Sequence, residues 1–110
     1  MTFRLTSYKT ILVKVSGSIK DEKGESQQFS FSLVCKRLTQ SEIDEALANK
    51  SESVKDFLRK VVQDWDGVLD EEGVSMVFGP ETFEKVLDEP GLRTVCFNEY
   101  MSQIGAVPKN

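Results

Sequence analysis

Residues 29–47, FSFSLVCKRLTQSEIDEAL, change from one hydrophobic period to another across a short basic link. Phe29, Phe31, Leu33 and Cys35 fall on one face, with Ser30, Ser32 and Lys36 on the other. Alternation of period two, rich in aromatic residues, is the pattern of a half-buried strand over Phe29–Lys36. After Leu38 the pattern stops alternating. Thr39-Gln40-Ser41-Glu42 is a capping box: the Thr39 hydroxyl can accept from the Glu42 amide while the Glu42 carboxylate reaches back to the Thr39 amide. Leu38 and Ile43 stand in the staple positions, and Ile43, Ala46 and Leu47 share a helical face that ends near Asn49. A strand followed directly by a capped helix sets the class as α+β.

Upstream, KTILVKVS (Lys9–Ser16) places Ile11, Val13 and Val15 on one face, and the polar, Gly24-containing stretch that follows suits a loop. The two strands are expected to form an antiparallel hairpin, which is marginal in water until something covers its apolar face. Downstream, Ser53 and Asp56 open a second helix. Val54, Phe57, Leu58, Val61, Val62 and Trp65 recur at helical spacing, the strongest such stripe in the chain, and Gly67 is placed to end it. Asp70-Glu71-Glu72-Gly73 reads as a tight turn between two short extended pieces. Gly79-Pro80-Glu81 starts a third helix whose apolar face is Phe83, Val86 and Leu87, and Pro90-Gly91 breaks it. A fourth helix runs from Leu92 to about Ile104. The expected architecture is an N-terminal antiparallel hairpin packed beneath the Ser53 helix and a bundle of about four short helices. A small second hairpin or turn is expected at residues 68–78. All 110 residues form one domain: a β part over 1–38, a mainly helical part over 39–104 and a tail over 105–110.

The chain has no histidine, which removes the commonest general base and transition-metal ligand together. Cys35 and Cys96 lie in apolar runs without metal-ligand spacing and read as buried reduced thiols, the lesser alternative being a disulfide between them. The acidic run from Asp64 fails as a calcium loop, because its fifth and sixth positions are Val68 and Leu69. No phosphate-cradling loop or nucleophile motif is present. Expectations are therefore no catalytic residue, no metal, no cofactor and no small-molecule substrate. Residues 1–8 lack an apolar leader core, and no run approaches the ~20 apolar residues of a membrane span. A cytoplasmic protein with no membrane partner is expected. The net charge of −4 argues against nucleic acid. That charge is uneven, with +4 over residues 1–38 and −9 over residues 39–90.

The last helix is apolar on more than one face, through Leu92, Val95, Cys96, Phe97, Tyr100, Met101 and Ile104. Such a helix is either deeply buried or meets a partner. Phe97, Tyr100, Met101 and Ile104 are the candidate partner-binding residues.

Taken in order, two segments resemble the tail assembly chaperones of long-tailed, siphophage-type bacteriophages and prophages. The first is the strand, basic pair and capped helix of residues 29–47. The second is VVQDWDGVLDEEGVSMVFGPETFEKVLDEPGLRTVCFNEYM, with Trp65, Gly67, Val68, Asp70, Gly73, Phe78, Pro80 and Glu81 at the matching positions. The likeness covers roughly residues 29–104. Gly79 departs from it, standing where similar proteins often carry a side-chain cap, which weakens that helix start by a few tenths of a kcal/mol. The resemblance implies a non-catalytic role: binding the long helical tape measure protein, keeping it soluble and helping recruit tail tube subunits. It also implies self-association, residence in the host cytoplasm and absence from the mature virion. Many such proteins occur in a short and a frameshifted long form, and a chain ending soon after its last helix is similar to the short one. Two alternatives stand beside this: a structural tail or head–tail joining protein, and a small acidic secretion-type chaperone.

Overall fold

Two long strands meet at a five-residue reversal. In the computed structural model, which describes residues 2–5 and 8–105, β1 spans Thr10–Lys20 and β2 spans Ser26–Lys36, paired antiparallel from Thr10↔Lys36 to Lys20↔Ser26. Both strands run further than the periodicity of Lys9–Ser16 and Phe29–Lys36 indicates. The expected first strand stops at Ser16, before Gly17, yet the alternation continues to Ile19. Gly17 is tolerated because the Phe29 ring, directly across the ladder, lies over the space where a side chain would be; a Cβ there would meet the ring at 2.9 Å.

The reversal is built by Asp21 and Gly24. Asp21 Oδ1 accepts from the amides of Lys23 and Glu25 (2.9 and 3.0 Å), and Gly24 N–H donates to Asp21 O (3.0 Å) with Gly24 at φ 80°. The same bonds recur at Asp70-Glu71-Glu72-Gly73-Val74, where Asp70 Oδ1 accepts from Glu72 and Val74 (2.9 and 3.0 Å) and Gly73 has φ 81°. An aspartate acceptor followed three residues later by a left-handed glycine makes the same turn twice. The second instance closes the small 68–78 excursion, where Leu69 bridges Ser75 antiparallel.

The described residues contain four helices, in outline as read, all after the hairpin: α1 Gln40–Ala48, α2 Val54–Val61, α3 Pro80–Leu87 and α4 Leu92–Gln103. The expected capping box at Thr39 is made, and the structure adds a second at Ser53. Thr39 Oγ1 accepts from Glu42 N–H (3.2 Å), and Thr39 N–H donates to Glu42 Oε1 (2.9 Å). Ser53 and Asp56 repeat the exchange at α2. Backbone amides hold the Glu42 and Asp56 carboxyls below their usual pKa values, Thr39 and Ser53 being the main donors. Glu84 accepts from Arg59 (2.6 Å) and from Lys55, tying α3 to α2.

The helical stripe that was expected to reach Trp65 ends at Val61. Residues Val62–Asp66 form β3, antiparallel to β2, so among the described residues the sheet has three strands in the order β1-β2-β3. Val34 faces Asp64 and Cys35 faces Val62, leaving Gln63 as an extra residue, a β-bulge. The bulge turns Val62 and Trp65 to the same buried face. Their three-residue spacing imitates a helix turn while serving a bulged strand. Adjacent β-branched Val61 and Val62 lower the cost of leaving the helix, and pairing satisfies the otherwise open edge of β2.

The core lies between the sheet's inner face (Val13, Val15, Leu33, Cys35, Val62, Trp65) and the helices. The helix lying along the hairpin is α4, against β1, while α2 packs on α4 and on the ends of β2 and β3. That differs from the expected seat beneath the Ser53 helix. Packing is supplemented by a clip: the Gln103 side-chain amide donates to Lys14 O (2.7 Å) and accepts from Lys14 N–H (3.0 Å), filling one rung of the β1 edge. Cys35 and Cys96 are both buried and free. Apart from Gly105, the tail expected over residues 105–110 lies outside the described residues. Among the described residues no helix is long and apolar enough to cross a membrane.

Candidate protein-binding site

The hairpin outruns the helices that cover it. Odd-numbered residues of both strands face inward, so the alternation that buries Val13, Val15, Leu33 and Cys35 also sends Ile19, Phe29 and Phe31 inward beyond the helical layer. Phe29 and Phe31 stack with ring centres 6.0 Å apart, both only partly buried, and Ile19 is exposed.

Facing them is the 67–78 loop, which Trp65 holds in place. The indole N–H donates to Met76 O (2.8 Å). Its ring meets Phe78 edge-on at 5.1 Å and Phe83 at 6.2 Å. Met76 N–H in turn donates to Val68 O (2.9 Å), so one buried ring fixes both arms of the excursion. Gly67, at φ 87°, lets the chain turn close against the Phe31 backbone; a Cβ there would sit 3.5 Å from Phe31 Cα.

Between hairpin end and loop lies an open groove of about 940 Å³. Its floor is apolar: Phe29, Phe31, Val68, Leu69, Met76 and Val86. Its rim carries Asp70, Glu71, Glu72 and Glu89 against, among the described residues, the one cation Lys85. Leu69 is 54% exposed on this surface. An apolar floor inside an acidic rim suits an amphipathic segment with basic flanks.

The residues expected to form a partner patch on the last helix lie elsewhere, and two of them are not at the surface. Tyr100 and Met101 are 1% and 2% exposed. The Tyr100 hydroxyl donates to Lys36 O (2.7 Å) and accepts from Leu38 N–H (3.3 Å), pinning the exit of β2. Burial raises its pKa. Phe97 is partly buried with its ring edge-on to Phe57 at 5.4 Å, and Ile104 is partly buried against the core. The helix is apolar on several faces because it sits between β1, α2 and α3. The groove residues were legible only as strand and turn residues. The signal in the sequence that could have found them is the alternation continuing past Gly17 to Ile19.

The other chemically able groups are quiet. Burial pushes the Cys35 thiol up to about 12, with Cys96 nearby adding to the effect, and pushes Cys96 up to about 11. Both thiols stay protonated at neutral pH and lack nucleophilic character. Among the described residues no group of three His, Cys, Asp or Glu side chains is placed to hold a metal ion. No family model, no curated protein and no solved structure matches the chain.

Proposed function

We propose that the chain is a non-catalytic chaperone that covers the apolar face of a basic amphipathic helix in a longer partner. The observation that carries this is the stretch of inner sheet face left beyond the helical layer and rimmed by acid. A helix laid in such a groove buries its apolar side and sets its lysines against Asp70, Glu71, Glu72 and Glu89. This reading agrees with what the resemblance to tail assembly chaperones implies: a tape measure protein as client, tail tube protein as the subunit recruited, action in the host cytoplasm and absence from the virion. An acidic rim repels nucleic acid.

The test uses exposed positions. Ile19→Asp with Leu69→Asp should leave the circular dichroism unchanged and reduce co-purification with the proposed client, a tape measure protein, at least about tenfold, the loss that ~1.4 kcal/mol produces. Undiminished co-purification of the folded double variant overturns the groove. Mass spectrometry of purified virions separates a chaperone, which is missing, from a structural tail component, which is present.

The self-association implied by the family has a basis in charge placement. Lys14, Lys20 and Lys36 share the outer sheet face, opposite the groove, whereas the acidic excess lies in the later segment. Unlike poles favour head-to-tail contact between copies. Oligomers are expected by sedimentation at 0.1 M salt, where the Debye length is ~10 Å, and should dissociate at 1 M, where it is ~3 Å. A monomer at both, or an oligomer unchanged at 1 M, contradicts this mode of assembly.

A further inference from the structure

A second cleft, of about 470 Å³, opens between α1 and α2 and shares no residue with the groove. Leu38, Ala46 and Phe57 supply apolar wall, and Glu42, Glu45, Asn49 and Glu52, with the cations Lys36 and Lys60, supply polar groups. Glu52 is the unusual member. Its side chain is only 7% exposed, and its two oxygens are treated unequally. Oε1 pairs with Lys60 Nζ at 2.8 Å, while Oε2 is buried with no hydrogen-bond partner among the described residues. A buried carboxylate oxygen without a donor is costly, and folded proteins rarely leave one so. Lys60 itself is 67% exposed, so it approaches the carboxylate from solvent and can swing away without disturbing the core.

What would satisfy both oxygens at once is a planar fork of N–H donors. A compact ammonium repeats what Lys60 already does and leaves Oε2 orphaned; a guanidinium offers two parallel bonds to one carboxylate. A hard metal cation needs several oxygen ligands; Glu42 and Glu45 also line the cleft, but among the described residues no three acidic side chains are placed to hold one ion. The apolar wall suits the methylene stem behind a guanidinium.

We propose that the α1–α2 cleft is a recognition site for an arginine side chain of a partner protein, which displaces Lys60 and pairs bidentately with Glu52. The site is independent of the groove, and its failure leaves the groove reading as it stands.

The probe is N-acetyl-arginine N-methylamide, titrated at millimolar concentrations into the ¹⁵N-labelled chain, with the lysine counterpart as control. The amides of Asn49, Glu52 and Lys60 should shift saturably with the arginine probe and roughly tenfold more weakly with the lysine one, the ratio ~1.4 kcal/mol gives. Glu52→Gln, which keeps the shape and removes the charge, should abolish the shifts. Lys60→Arg supplies the fork from within the chain, so it should raise the melting temperature and block the probe. Equal response to both probes, unsaturable shifts, full binding by the folded Glu52→Gln variant, or a Lys60→Arg protein that melts lower and still binds each overturns the site.

Discussion

Alanine in place of Trp65 is expected to destabilise the domain by about 3–5 kcal/mol, the range for removing a large buried aromatic side chain. Trp65 is 7% exposed and belongs to three structures at once: the β3 ladder opposite Leu33, the aromatic cluster with Phe78 and Phe83, and the loop that receives its indole hydrogen bond at Met76. The effect should therefore go beyond stability. With the ring gone, the 67–78 loop loses its seat, and with it one wall of the groove. Urea unfolding followed by circular dichroism measures the first effect, and binding of the proposed client by whatever fraction remains folded measures the second. Trp65→Phe separates ring from hydrogen bond. It keeps most of the packing and leaves the Met76 carbonyl without its donor, at about 1–3 kcal/mol. An alanine variant with an unshifted midpoint would show that the loop and β3 are held by something other than this ring.

Tyr100→Ser combined with Met101→Ser is expected to unfold the chain. Each substitution removes a fully buried side chain, at about 2–5 kcal/mol apiece, against a total stability that for domains of this size is ordinarily about 5–15 kcal/mol. Tyr100 adds a polar loss. Its hydroxyl satisfies Lys36 O and Leu38 N–H where β2 gives way to α1, and Ser is too short to reach them. Loss of the far-ultraviolet helical signal at room temperature is the readout. A folded double variant with altered partner binding would restore these residues to the surface role first expected of them. Tyr100→Phe, with the ring kept edge-on to Phe57 at 5.7 Å, should cost only the hydroxyl's share, about 1–3 kcal/mol.

How much of this was readable beforehand depends on how local the signal was. The helix starts at Thr39 and Ser53 and the aspartate–glycine turn at residue 70 are decided by neighbours within four residues, and each appears where the sequence puts it. The passage from α2 to β3 was not readable, because Val62 and Trp65 keep a helical spacing that only pairing with β2, thirty residues upstream, converts into a bulged strand. The position of α4 failed for a similar reason. Apolar residues on several faces mark either a buried helix or a partnered one, and the choice depends on β1, α2 and α3 surrounding it. The groove depended on the hairpin being longer than its cover, and Gly17 disguised that length. Only the Phe29 ring, placed opposite it by the register, shows why glycine belongs in a strand there. The orphan oxygen of Glu52 has no signature in sequence at all, since it arises from which side of a carboxylate a distant lysine happens to approach.

The Gln103 amide on Lys14 has one more consequence. A first strand at the rim of a sheet is a growing end: its outward N–H and C=O groups invite another copy's strand, and that copy presents the same invitation to the next. Gln103 acts on this growing end as a terminator acts on a polymer chain. It occupies the rung at Lys14, near the middle of the strand's covered half, with a side chain shaped like a peptide but having no continuation. An incoming strand then finds its ladder broken partway along. The hazard of edge-to-edge growth is closed at this rung by a single side-chain amide.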